Sequence, residues 1–407
     1  MEDFLGFITE QKNTHMTHIE DRVLYGGVKG TREAIFALRN MRDMLAGKKE
    51  GKVSVKWDGA PAIFCGEDPN DGKFFVAKKG IFAKNPKIYK TDAEIDADMS
   101  GDLATKMKAA LRYLPDLGIT GVIQGDFLFG PGDITTKTID GTTYKVFHPN
   151  TIVYAVPVGQ AGPIMSAKIG IVWHTTYTGT SFENMRASYG VDVSKFKKST
   201  AVWSQDAMLR DVTKATMTAE ETEEVNGYLS TAGSIFASIS GTTLRQLEAD
   251  EELAKLIEQY NNTFVRRGAI IGDTTRHTNG LIKWIRDKFK AEMAKRSSAR
   301  GKKTQQDKLD AIMKFFSATN KTNLIKMFEL QKVIVLAKLK LINKLNRLKS
   351  IDTFVQTRKG YQVTGEEGYV AIDRLGGDAV KLVDRMEFSY NNFSPDVIKG
   401  WDKPTRN

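Results

Sequence analysis

The stretch KVSVKWDGAPAIFCG, residues 52–66, marks a change in the pattern of the sequence. Its β-branched and aromatic residues lie between turn-forming Gly and Asp, as do those of GKFFVAKKG, residues 72–80, and this pattern predicts short antiparallel strands. Before it, REAIFALRNMRDMLAG (32–47) has apolar residues at helical spacing, with Thr31 as a predicted N-cap and Gly47 as a predicted C-cap. The chain therefore passes from a helical segment into a β domain.

Beyond this point the sequence alternates between blocks of strands and helices. A helix is predicted at 101–114, and strands are predicted at 119–130 and 151–179. A mostly helical pattern extends from about 181 to 350, and short strands resume over 353–388. The β pattern thus stops and restarts around a helical block.

The strands after the helical block are too short to form a second core. We therefore predict an α+β fold in which one antiparallel β domain is interrupted by a large helical insertion. The predicted divisions are a helical N-terminal segment (1–50), the β domain (51–180 and 353–393), a basic helical insertion (181–352) and a tail (394–407).

Positive charge is concentrated in one part of the chain. The 407 residues include 60 Lys and Arg against 49 Asp and Glu, a net charge of +11. Residues 281–350 alone carry 19 basic and 5 acidic residues, a balance of +14, so the rest of the chain carries −3. This excess predicts a surface that binds nucleic acid, with a solvated helix face as the alternative. The candidate nucleic-acid contacts are Lys338, Lys340, Lys344 and Arg347.

Composition excludes several classes of protein. No apolar run approaches the ~20 residues that span a bilayer, and the acidic start MEDFLG lacks the positive charge of a signal peptide. A single cysteine, Cys65, excludes an intrachain disulfide and a Cys-based zinc site. These features predict a cytoplasmic protein without a membrane partner, and they do not indicate an oligomeric state.

The motif Lys56-Trp57-Asp58-Gly59 lies on the predicted turn between two strands. A lysine that acts as a nucleophile must lose its proton, and it needs a neighbouring group to position it and a tight turn to expose its amine. The motif offers these features, although a hairpin turn with a surface ion pair is the alternative for such a short pattern.

An ordered set of further elements follows this motif. They are Lys79-Gly80, Gly125-Asp126, an aromatic strand through either Tyr154 or Trp173, Glu367-Gly368, and Lys381. In this order the chain resembles the covalent nucleotidyltransferase superfamily, which includes ATP-dependent RNA and DNA ligases and mRNA capping enzymes. The resemblance covers roughly 50–180 and 353–393, and it implies an antiparallel-β nucleotidyltransferase core of the ATP-grasp-like ligase type.

The resemblance also implies roles for individual residues. Lys56 would take the nucleotide, with Asp58 and Lys381 as further catalytic residues. Asp126 and Glu367 would hold Mg²⁺, with Mn²⁺ as an alternative, because hard ions of this kind are bound by few carboxylates and by phosphate oxygens. The nucleotide contacts would come from Gly59, Lys79, Gly80, Asp126, Tyr154, Trp173, Glu367 and Lys381.

The expected activity is that of an RNA ligase-like enzyme that forms a lysyl-AMP intermediate from ATP and joins 5′-phosphate and 3′-hydroxyl ends of RNA or DNA. RNA is favoured because only 26 residues follow Lys381, too few for the OB-fold of DNA ligases and capping enzymes. Pro61 and Val383 depart from the polar residues common in the superfamily. Two alternatives therefore stay open: a non-catalytic nucleic-acid-binding protein on this scaffold, and nucleotidyl transfer to a protein or small molecule.

Overall fold

Three β-sheets and a block of helices make up the computed structural model, which describes residues 17–48, 52–209, 216–348, 351–372 and 379–402. The strands are β1 (Lys52–Lys56), β2 (Ala62–Glu67), β3 (Phe74–Ala77), β4 (Ile88–Tyr89), β5 (Val122–Phe129), β6 (Thr135–Ile139), β7 (Thr142–Phe147), β8 (Ile152–Pro157), β9 (Ile169–Thr178), β10 (Arg186–Tyr189), β11 (Val202–Asp206), β12 (Met208–Leu209), β13 (Asp352–Thr357), β14 (Gly360–Val363), β15 (Gly368–Ile372) and β16 (Ala379–Leu382). The α-helices are α1 (Arg22–Tyr25), α2 (Gly27–Leu45), α3 (Asp92–Asp98), α4 (Gly101–Tyr113), α5 (Gly162–Ser166), α6 (Ala219–Ser238), α7 (Gly241–Ala249), α8 (Glu251–Val265), α9 (Thr274–Ala294), α10 (Ala299–Met313), α11 (Ala318–Leu345) and α12 (Arg385–Phe393). The predicted α+β fold class is confirmed.

The strands pair across long sequence distances. The largest sheet has the order β10-β9-β5-β2-β3-β4, with β11 added in parallel to β9, and a second sheet has the order β14-β13-β8-β7-β6. A third sheet has the order β12-β1-β15-β16, and its pairs are antiparallel. This third sheet places the turn after β1 beside residues that follow it by more than 300 positions.

A single long helix organises the helical block. Helix α11 begins at the Ser317 cap, whose side chain accepts a hydrogen bond from the backbone N–H of Asn320. Its residues Leu324, Phe328 and Leu341 are fully buried against the surrounding helices. Each such side chain contributes about 1.5–3 kcal/mol when it leaves water, so α11 holds the block together.

The N-terminal helices belong to this helical block. Leu24 and Leu38 lie in the same apolar cluster as Leu281 and Phe328. The chain does not begin α2 at Thr31 as predicted: α2 already begins at Gly27, and the Thr31 hydroxyl donates back to the carbonyl oxygen of Gly27. Gly47 does follow the end of the helix, in the left-handed conformation with φ +72°.

The predicted boundaries of the helical insertion are wrong at its start. Strands β10, β11 and β12 lie beyond residue 180 and join two of the sheets, and the long helices begin only with the Thr218–Glu221 capping box before α6. The sequence after residue 394 is likewise not separate from the β domain within the described range, because the backbone N–H of Ile398 donates to the carbonyl of Gln356 in β13.

Candidate functional site

The turn after β1 is fixed in place by Asp58. One carboxylate oxygen of Asp58 accepts hydrogen bonds from the backbone N–H groups of Thr151 and Ile152 at 2.7 and 2.8 Å, and the other accepts from the side chain of Asn150 at 2.6 Å. The backbone N–H of Asp58 itself donates to the hydroxyl of Tyr154 at 2.7 Å. The motif is thereby held against the start of β8, and Asp58 acts as a structural anchor.

Gly59 allows the turn to approach the next sheet. A Cβ atom at this position would lie 2.6 Å from Cβ of Asp126 and 3.0 Å from the carbonyl oxygen of Phe127. Only glycine permits so close a contact between the turn and β5. The motif residue Gly59 and the predicted nucleotide-binding residue Asp126 are therefore direct neighbours.

Lys56 contacts Glu367 through the register of the third sheet. Lys56 is the last residue of β1 and pairs with Gly368, the first residue of β15. Its Nζ forms an ion pair with Oε1 of Glu367, and its side chain remains 37% exposed. The amine is thus accessible from solvent while a carboxylate lies within proton-transfer distance.

Lys381 lies on β16, the strand next to β15, and no described carboxylate forms an ion pair with it. It pairs with Val370 across β15 and β16, and the described part of the chain provides no ion pair or hydrogen bond for its amine. Burial and the nearby charge of Lys56 both lower the pKa of Lys381. A half-buried cation without a counterion attracts an anionic ligand.

Asp126 and His174 form the opposite wall of the site. Oδ2 of Asp126 lies 3.7 Å from Nε2 of His174, whose Nδ1 lies 2.8 Å from the hydroxyl of Thr175. Burial raises the pKa of Asp126 to about 7 against the attraction of Lys56, and it lowers the pKa of His174 to about 4. His174 is therefore neutral at physiological pH, and Asp126 is close to its titration midpoint.

Three carboxylates repel one another around Lys56. Burial, and then the charge of Glu367, raise the pKa of Asp58 to about 6 although three hydrogen bonds favour the charged form. The same neighbours, Glu367 and Asp58, also disfavour the charged form of Asp126. A divalent cation would relieve this repulsion, and Asp126 with Glu367 fits Mg²⁺, which takes one or two carboxylates and keeps its other positions for water and phosphate. The described residues contain no group of three or more His, Cys, Asp or Glu side chains arranged to hold a metal by themselves.

Other predicted nucleotide contacts lie apart from this cluster or are buried. Lys79 and Gly80 follow β3 in a short 3₁₀ turn, and exposed Lys79 forms no ion pair with the site's acids. The ring of Tyr154 stacks on Trp57 at 4.9 Å and is fully buried. Trp173 is also fully buried, over Gly125, and its indole N–H donates to Ser204. Neither aromatic ring offers a free face for a base, so the prediction that one of them stacks on the nucleotide is wrong for this conformation.

The predicted basic surface on α11 is wrong for two of its four residues. Lys338 is 1% exposed and forms an ion pair with Glu20 at 2.8 Å, and Lys344 is buried beside Glu221. Lys340 and Arg347 do reach solvent, where they pair with Glu224 and Glu221. Because burial and acidic partners neutralise these charges, the excess positive charge must be sought elsewhere on the helical block.

Two residues of the site carried no signal in the sequence. His174 lies in an apolar strand, where nothing in the pattern marks it as a site residue. Asn150 precedes β8 in a polar turn. His174 joins the site through the pairing of β9 with β5, and Asn150 joins it through its hydrogen bond to Asp58.

Comparison with known proteins gives a family and no function. Residues 13–396 match the family model described as "Family of unknown function (DUF6267)", so the chain belongs to that family. No curated protein and no solved structure matches the chain. Among the described helices, none combines the length and apolar character that a bilayer span requires.

Proposed function

We propose that the chain is an ATP- and Mg²⁺-dependent nucleotidyltransferase of the RNA ligase type. The observation that carries this proposal is the contact between Lys56 and Glu367 beside the amine of Lys381, which no described residue pairs with. A nucleophilic amine, an acceptor for its proton and a free cation are the groups that attack on a phosphate requires. The order of the sequence motifs supports the same activity.

In the proposed first step, Nζ of Lys56 attacks the α-phosphorus of ATP. An N–P bond forms, the bond from phosphorus to the bridging oxygen breaks, and pyrophosphate leaves with that oxygen. The ammonium group must first give up a proton, for which Glu367 is the contacting acceptor. Lys381 stabilises the negative charge that develops on the phosphate oxygens.

Asp126 and Glu367 are the residues that would hold Mg²⁺, and the ion would add positive charge at the phosphates. Asp58 keeps Lys56 in position through its three hydrogen bonds to the segment before β8. In the later steps the AMP group passes to a 5′-phosphate end, and a 3′-hydroxyl displaces AMP to form a phosphodiester bond.

The test is covalent labelling of purified protein with each α-labelled nucleotide triphosphate in turn, with Mg²⁺ or Mn²⁺, followed by denaturation. We expect a label from ATP that the Lys56→Arg variant lacks, because arginine preserves the charge beside Glu367 and cannot act as the nucleophile. A label from another nucleotide alone would identify that nucleotide, and not ATP, as the substrate. The absence of any label would contradict the proposed nucleotidyltransferase activity.

One observation favours a second candidate, a nucleic-acid-binding protein without catalysis. Both Tyr154 and Trp173 are fully buried, so the base has no visible aromatic partner. This candidate predicts that the protein binds strands but neither binds nor incorporates ATP, and equilibrium binding of a fluorescent ATP analogue separates the two candidates.

A further inference from the structure

A groove lies at the end of the helical block where α9, the end of α10 and the beginning of α11 meet. Its cavity volume is about 360 Å³. One wall is the face of α9 that carries Asn279, Ile282, Lys283 and Arg286, which recur at helical spacing. The opposite wall includes Met313, Phe316 and Lys321, and Asp287 is the one acidic residue of the lining.

Within the described ranges, the three cations of the groove have no acidic partner. Lys283, Arg286 and Lys321 form no ion pair with any described residue, in contrast to Lys308 with Glu252 and Lys295 with Glu292 on the same helices. Three cations against one acid leave the groove positively charged. Part of the excess charge of residues 281–350 therefore lies in this groove, whereas Lys338 and Lys344 on α11 are buried against acidic partners.

Apolar groups lie among these cations. Phe316 is partly buried and packs edge to face against Phe315, and Met313 lies next to it in the lining. Proteins that bind single strands combine positive charge along the backbone with aromatic rings on which bases stack. A duplex hides the faces of its bases and offers only its phosphates to such a surface.

We propose that this groove binds single-stranded nucleic acid, with phosphates at Lys283, Arg286 and Lys321 and a base on Phe316. This inference rests on the proposed function in one respect, that the bound strand is a substrate of the enzyme. Binding of the strand itself requires no reaction at Lys56.

The groove is far from the candidate active site along α11. The last residues of α11 adjoin the third sheet, where the hydroxyl of Tyr369 donates to Asn346 at 2.8 Å. From Lys321 to Leu345 the helix rises about 36 Å at 1.5 Å per residue. A strand that occupies both places must therefore be about ten nucleotides long or longer, at 3.4 Å per stacked nucleotide.

The test measures fluorescence anisotropy of a labelled single strand of about 20 nucleotides, longer than typical sites of ~4–16 nucleotides, without ATP. The variant Lys283→Gln/Arg286→Gln/Lys321→Gln should bind at least tenfold more weakly. The slope of log K against log salt should flatten by roughly 2, from three contacts at about 0.7 each. The matched control neutralises three exposed cations of the β domain, Lys137→Gln/Arg358→Gln/Lys359→Gln, and should keep the wild-type slope.

A second variant tests the role of the base. Phe316→Ala should weaken binding of the single strand about tenfold and leave binding of a matched duplex unchanged, with thermal melting as the check on folding. Equal losses in the groove variant and the control, or equal affinity for strand and duplex in wild-type protein, would overturn the proposal. Labelling of Lys56 by ATP in the absence of any strand is scored separately, so failure of the nucleotidyltransferase and failure of the groove are distinguishable.

Discussion

Lys56 and Glu367 are separated by more than 300 residues and form an ion pair because β1 and β15 are neighbours in one antiparallel sheet. Lys56 pairs with Gly368, the first residue of β15, so Glu367 lies just before that strand begins. The carboxylate is therefore held at the amine by backbone pairing rather than by a flexible loop. All five residues from Lys52 to Lys56 pair with β15, so the sheet sets the backbone positions from which the two side chains extend.

The first prediction concerns the bond formed at Lys56. The adduct with AMP should be acid-labile and base-stable, because it is a phosphoramide and not a phosphate ester. Intact-mass measurement should show one added AMP on wild-type protein and none on Lys56→Arg. The exposed strand residue Lys137 provides the control, and Lys137→Arg should carry the full adduct. An adduct that persists in Lys56→Arg would place the nucleophile at another residue.

The second prediction separates function from stability at Lys381. Lys381→Met should lower the rate of adduct formation about 10²-fold, the usual effect of one lost electrostatic contact to a developing charge. The same variant should melt at the wild-type temperature or above, because it removes a largely buried cation that has no ion-pair partner among the described residues. Glu367→Gln should lower the rate to a similar degree. An unchanged adduct rate in Lys381→Met would contradict a role of this lysine in the reaction.

The third prediction concerns the anchor at Asp58. Asp58→Ala leaves the N–H groups of Thr151 and Ile152 and the amide of Asn150 without their acceptor, and we expect it to cost about 3–5 kcal/mol in the free energy of unfolding. Asp58→Asn keeps one acceptor oxygen and should cost less. Urea titration measures both values, with exposed Asp116→Ala as the control. Equal stability of Asp58→Ala and wild-type protein would contradict the anchoring role.

Periodicity was sufficient to predict the regular elements but not the edges of the sheets. The helix over 101–114 and the Thr218–Glu221 capping box are present as predicted. Strand β10 was missed because its residues, RASY, are all exposed and show no apolar alternation. It is held by backbone pairing with β9, which leaves no mark in the sequence.

Contacts between distant segments also limit what the sequence can predict about the candidate site. The order of the motifs predicted that Lys56, Asp126, Glu367 and Lys381 lie near one another, and the geometry agrees. The charge of a residue does not reveal its partner, however, so Lys338 was assigned to a surface although Glu20 neutralises it inside the protein. Burial likewise depends on packing between distant strands, so the sequence pattern around Trp173 does not reveal that its ring is covered.

The fourth prediction tests the buried ion pair between Lys338 and Glu20, which removes Lys338 from the predicted basic surface. Lys338→Met should destabilise the protein by about 3 kcal/mol, because it leaves the buried carboxylate of Glu20 with only Arg385, at 3.5 Å. Lys340→Met, on the same helix but 46% exposed, should change the free energy of unfolding by less than about 1 kcal/mol. Urea unfolding measures both. Equal small effects would mean that Lys338 is accessible to solvent.

The fifth prediction is a pH dependence that originates at Asp126. The pKa of this carboxyl is about 7 in the folded protein and about 4 in the unfolded chain. The folded state therefore holds the proton more tightly, and stability should fall as the pH rises from about 4 to about 7 and then level off. Asp126→Asn does not titrate, so its melting temperature relative to that of wild-type protein should rise across this range. Exposed Asp116→Asn should show no such trend.

Mg²⁺ provides the decisive comparison for the same residue. At pH 7.5 the wild-type carboxylate is mostly charged, and an ion that binds it should restore the lost stability by favouring the folded state. Millimolar Mg²⁺ should therefore raise the melting temperature of wild-type protein at pH 7.5, have little effect at pH 5 where Asp126 is protonated, and have little effect on Asp126→Asn at either pH. An equal rise in the variant would place the ion at other carboxylates. A difference in melting temperature between wild-type protein and Asp126→Asn that does not change between pH 4 and pH 7 would contradict the raised pKa of Asp126.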